Sequence, residues 1–122
     1  MVLVPGIGDA PGYPCQPVLL YEQSFGTIAD WEHRYGIIAR SKAIQLWTGR
    51  NDGRTDNQPH LLFPGDTPYW GGVKRNGIVV ACSGVQPWFD QMISGMTIDA
   101  MVALAYDAYK TDELAEDADL LP

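Results

Sequence analysis

The sequence predicts an α+β domain in which helices pack against an antiparallel sheet, and three observations predict it. Asn76-Gly77 sits between two strand-like arms, two other segments repeat apolar residues at helical spacing, and residues 16–22 carry the apolar run Pro-Val-Leu-Leu-Tyr with strand composition. The chain has 122 residues, room for one domain with a single core. Its bounds are predicted as 1–111, with an irregular amino-terminal arm over 1–15 and an acidic tail over 112–122.

The arm is predicted from its breakers: Pro5, Gly6, Gly8, Pro11, Gly12 and Pro14 leave little scope for a regular element. Residues 16–22 then read as a strand and 24–28 as its hairpin partner, with Gly26 easing a bulge. Between 35 and 48 the apolar positions Tyr35, Ile38, Ala39, Ala43, Leu46 and Trp47 recur three and four apart, which predicts a core-packing helix ending at Gly49. Arg40, Ser41 and Gln45 fall on its other side, facing away from the core.

Residues 50–70 lack periodicity, and a loop of that length inside a compact domain is commonly functional. Only 60–63 has the composition of a short strand. Arg50 and Arg54 offer planar forks suited to a carboxylate, and His60 and Asp66 are the candidates for moving a proton. Neutralisation of the two arginines by Asp52 and Asp56 within the loop is the competing reading.

Asn76-Gly77 predicts a two-residue type I′ turn, which needs positive φ at both central positions. The second arm, 78–82, is apolar without alternation, as expected of a strand covered on both faces. Gly71-Gly72 closes the first arm and permits close approach of a backbone or a ligand. After Ser83-Gly84 a helix is predicted over about 86–109, with Pro87 in its first turn. Phe89, Met92, Ile93, Met96, Ala100, Ala103 and Leu104 form one apolar row; Ile98, Met101, Ala105 and Tyr109 form a second. One row suffices for the sheet, so the other predicts a second subunit and a homo-oligomer.

These motifs carry a resemblance. Gly71-Gly72-Val73, Asn76-Gly77, an apolar strand, Ser83-Gly84 and an acidic residue opening a long helix resemble the second half of the GlcG/HbpS-like family, the haem-degrading domain family. Ile38-Ala39-Arg40-Ser41-Lys42-Ala43 is similar to that family's helix segment, and the resemblance spans roughly residues 16 to 108. It implies a profilin-like, five-stranded antiparallel sheet with flanking helices, assembly into oligomers, and a small-ligand pocket with haem or a related tetrapyrrole as the candidate cofactor. The competing functional class is a small enzyme acting by acid/base chemistry on a carboxylate-bearing molecule; a structural or accessory subunit is the third.

Charge and cysteine usage narrow the classes. The net charge of −7 opposes binding to a phosphate backbone, although Asp112, Glu113, Glu116, Asp117 and Asp119 concentrate it in the tail. No apolar run is long enough to span a bilayer and no export signal opens the chain, so a cytoplasmic protein without nucleic-acid or membrane partners is expected. Cys15 and Cys82 fit neither a disulfide framework nor a zinc site, and His33 and His60 lack paired metal spacing, so no metal site is predicted.

The candidate site is placed where the long loop, Gly71-Gly72 and the start of the second helix converge. Ser83 and Gly84 would present amides near a helix N-terminus, where partial positive charge favours an anion, and Trp70, with Trp88, would supply flat walls. Asp90, in the first turn of that helix, reads as a structural cap.

Overall fold

The computed structural model describes residues 1–6, 16–50 and 59–111. Arg54, Cys15, the rest of the predicted arm and the acidic tail lie outside the described residues. The architecture is α+β. Strands β1 (Val2–Pro5), β2 (Pro17–Tyr21), β3 (Gly72–Arg75) and β4 (Ile78–Ala81) form one antiparallel sheet in the order β2-β1-β4-β3, with helices α1 (Tyr35–Trp47) and α2 (Pro87–Thr111).

The predicted hairpin is the most regular part. Asn76 has φ 52° and Gly77 φ 74°, as a type I′ turn requires, and the pairing Arg75↔Ile78 leaves only those two residues in the loop. The pleat of β4 sends Val79 and Ala81 to one face, where they meet Leu3, Ala43 and Leu46, and Val80 to the other, where it meets Val2 and Ile98. Helix α1 therefore covers one face and α2 the other, which explains the continuous apolar run of β4.

Four expectations need correction. The sheet has four strands among the described residues, not five. The predicted partner strand at 24–28 does not form: Gly26, at φ 86°, turns the chain, and a 3₁₀ turn, Ile28–Asp30, follows. The stretch 60–63 is not a strand either, because a 3₁₀ turn, Pro59–Leu61, leads into a bend in which the Asp66 N–H donates to the Phe63 carbonyl at 3.0 Å. Finally, the chain does not begin as an irregular arm. The breakers start only at Pro5, and Val2-Leu3-Val4 before them form the strand between β2 and β4, with Val2 and Leu3 4% exposed.

Helix α1 also departs from the expected division into faces. Gln45, read as pointing away from the core, is fully buried. The returning loop lies over that side of the helix: the Gln45 amide donates to the Thr67 carbonyl at 3.1 Å and its oxygen accepts the Thr67 N–H at 3.0 Å, while Ser41 donates to the Gly65 carbonyl at 3.2 Å. A buried amide is tolerated there because its hydrogen bonds are made.

On α2, Ile98, Met101 and Val102 pack toward the sheet. Phe89, Met92, Ile93, Met96 and Leu104, on the opposite side, are exposed. Met101 thus belongs to the core, not to a surface available for assembly.

Candidate functional site

The site is built around an ion pair that joins the two helices at the open end of the β3–β4 hairpin. Lys42 of α1 is 1% exposed and Asp90 of α2 2% exposed, and the Lys42 ammonium donates to Asp90 Oδ2 at 2.9 Å. It also donates to the Cys82 carbonyl at 2.9 Å, and Asp90 Oδ1 accepts the Val85 N–H at 3.3 Å. Two opposite charges removed from water this completely need each other and their remaining hydrogen bonds, so the pair ties the middle of α1 to the first turn of α2.

Gly71 makes the crossing possible. It holds φ 124°, and a Cβ on it would stand 2.6 Å from the Asp90 Cβ, 2.9 Å from the Pro87 carbonyl oxygen and 3.2 Å from the Lys42 ammonium. Gly72 is equally confined, since a Cβ there would meet the Leu46 side chain at 2.5 Å. Both glycines sit buried under helices, and the close approach they allow is that of α1 and α2 to the hairpin.

Above the ion pair opens a cleft of about 780 Å³. Tyr69, Trp70, Trp88 and Phe89 supply its aromatic walls, Glu32 and His33 its polar rim, and Lys42 and Asp90 its floor. His33 is held edge-on to the Tyr35 ring, centroids 5.8 Å apart, and the Trp88 and Phe89 rings lie 6.3 Å apart. A neighbouring cleft of about 570 Å³, reaching Met1, Tyr21, Trp31 and Cys82, shares Tyr35, Asp90 and the segment 83–85 with it. Burial raises the Cys82 thiol above its ordinary pKa, and the charge of Asp90 adds to the rise; burial also lowers the Met1 amino group.

Among the residues predicted for the site, the structure brings Trp70, Ser83 and Gly84 together in the larger cleft, with Trp88 beside them. Gly71 and Gly72 lie beneath it as packing positions. Arg50, Asp66 and His60 are elsewhere. Arg50 is ion-paired with Asp66, its guanidinium stacked 4.6 Å above the Phe63 ring, so its charge is engaged in holding the loop; Asp66 also accepts the Phe63 N–H at 2.8 Å. His60 is exposed on the 3₁₀ turn. Arg54 falls outside the described residues.

The residues predicted for the site include neither Lys42 nor His33. For Lys42 a signal existed: it stands four residues after Ile38 and four before Leu46, a charge inside an apolar stripe, which calls for a buried partner. His33 carried none, since only tertiary folding brings the segment before α1 against the start of α2. Among the described residues no cluster of His, Cys, Asp or Glu could hold a metal ion, and no helix is long and apolar enough to cross a membrane.

No protein-family model, curated protein or solved structure matches the chain. The fold and the cleft thus define its class: a small α+β domain with an aromatic-walled pocket between two helix N-termini.

Proposed function

We propose that the chain is a small-ligand-binding protein of the GlcG/HbpS-like, profilin-like type, working as a homo-oligomer, whose ligand is a flat ring system of the tetrapyrrole kind. The observation that carries this reading is the larger cleft, where Trp70 and Trp88 both line one pocket that also reaches a buried, neutralised ion pair. Because Lys42 cancels the charge of Asp90, the carboxylate in the first turn of α2 does not repel an anionic ligand there. The residues fit haem to this extent: the walls suit a macrocycle and His33 is the side chain that would offer its iron a nitrogen. Acid/base chemistry on a carboxylate substrate has weaker support, since Arg50 and Asp66 neutralise each other and His60 lies away from both clefts.

Titration with haem and with metal-free protoporphyrin, followed by the Soret band and by tryptophan quenching, tests the proposal. Saturable binding of both is expected. Trp88→Ala should weaken both by about tenfold, equivalent to about 1.4 kcal/mol. His33→Ala should alter the haem spectrum and leave protoporphyrin binding intact. Absence of saturable binding by either porphyrin would sink the reading.

A further inference from the structure

We propose that the outer face of α2 is the contact between two copies of this chain, packed antiparallel about a twofold axis that crosses between Met96 and Ala100. The face is apolar and open. Phe89, Ile93, Met96, Ala100 and Ala103 follow one another at spacings of four, three, four and three, the pattern of a helix–helix seam, with Met92 and Leu104 alongside. It lies opposite the Ser94 and Ile98 side that meets the sheet. Phe89 is 48% exposed, Met96 64% and Leu104 70%, and no charged residue falls on the stripe between Phe89 and Leu104. Asp99, at its flank, is engaged by Arg75 at 2.7 Å.

The size gradient along the stripe selects the occupant and its direction. Its amino-terminal half is bulky, with Phe89, Met92, Ile93 and Met96, and its carboxy-terminal half is narrower, with Ala100 and Ala103. In an antiparallel pair Met96 of one copy meets Ala100 of the other and Ile93 meets Ala103, so the axes keep one separation over that span, with Phe89 and Asp107 meeting at the two rims. A parallel pair would set bulky on bulky at one end and alanine on alanine at the other, leaving voids. The stripe is therefore complementary to itself turned through a half-rotation, the condition for a twofold dimer.

The end of α2 supports the same arrangement. Every residue from 103 to 111 is exposed, so this part of the helix has no packing of its own within the described residues. Short helical stretches are marginal in water without a packed face, and an antiparallel partner supplies one by laying its own α2 alongside. A standard interface covers about 800 Å² on each partner. The stripe supplies the centre of such a patch: it runs about 22 Å along the helix, and five of its side chains are 40–70% exposed.

Light scattering on the full chain at micromolar concentration should give twice 13.4 kDa or a higher even multiple. Met96→Glu should lower the mass by dissociating this contact, with circular dichroism unchanged, because position 96 is exposed within one chain. A wild-type monomer, or a Met96→Glu chain that keeps the wild-type mass, would overturn the proposal. The direction is tested in chains carrying Cys15→Ser and Cys82→Ser: Met96→Cys mixed with Ala100→Cys should form a disulfide-linked pair under mild oxidation faster than Met96→Cys does with itself. Faster self-coupling of Met96→Cys would overturn the antiparallel arrangement.

Discussion

The two helices treat their second faces differently. Helix α1 packs on the sheet through Ala43 and Leu46 and is covered on its other side by the chain's own returning loop, which Gln45 and Ser41 hold by hydrogen bonds to Thr67 and Gly65. Helix α2 packs through Ile98 and leaves Phe89, Met92, Ile93 and Met96 uncovered. The buried polar side of α1 and the exposed apolar side of α2 are thus inverse cases. What decides burial is whether another segment of the same chain arrives, and the sequence places a loop against α1 and none against α2 among the described residues.

The largest expected effect comes from breaking the ion pair that joins the two helices. Lys42→Met strands the Asp90 carboxylate in the interior and should cost about 3–5 kcal/mol in urea unfolding. Adding Asp90→Leu should recover most of that loss, because the penalty lies in the unpaired charge and not in the missing attraction. Equal loss in the single and double variants would show instead that the pair is needed for packing around Gly71.

A second pair of variants sharpens the comparison directly. Gln45→Ala removes both amide hydrogen bonds to Thr67, whose N–H keeps the Ser41 hydroxyl at 3.0 Å, and should cost about 1–3 kcal/mol. Met92→Ala, compared in the Met96→Glu background so that assembly does not enter, should change stability by less than about 0.5 kcal/mol. If Met92→Ala proved as costly as Gln45→Ala, the outer face of α2 would be covered within a single chain.

The smallest effect concerns the thiol beside the ion pair. Burial raises the pKa of Cys82 in the folded chain, so its contribution to stability is full below about pH 8.5, the ordinary thiol value, and is lost as pH rises through the folded value. Wild type should therefore lose stability between neutral and alkaline pH more steeply than Cys82→Ser. The Met1 amino group, whose pKa burial lowers, is present in both chains, and its interaction with the thiol is part of the difference. Parallel pH profiles would place the thiol in a water-like environment.

Legibility of the fold follows the range of the interactions. The type I′ turn at Asn76-Gly77, both helices and the doubly covered β4 were legible because each rests on local backbone preference or short-range periodicity. The site was legible in part. Trp70, Ser83 and Gly84 follow from the hairpin and helix start that the sequence marks, whereas Arg50 and Asp66 offered the right chemistry for a ligand and are occupied by each other across 16 residues. No local pattern distinguishes a charge that awaits a ligand from one that has a partner in the same loop.

By itself the sequence determined the class of the domain, its hairpin, its helices and the two apolar rows of α2, since turn geometry and helical periodicity act over a few residues. Only the tertiary structure decided that Val2–Pro5 sits inside the sheet, that Gln45 is buried, that Lys42 and Asp90 meet across 48 residues, and which row of α2 stays open. Those outcomes depend on which segments compete for the same surface once the chain is compact, and Gly71 shows the reason in one residue: its missing side chain matters because Asp90, Pro87 and Lys42, distant in sequence, need the space.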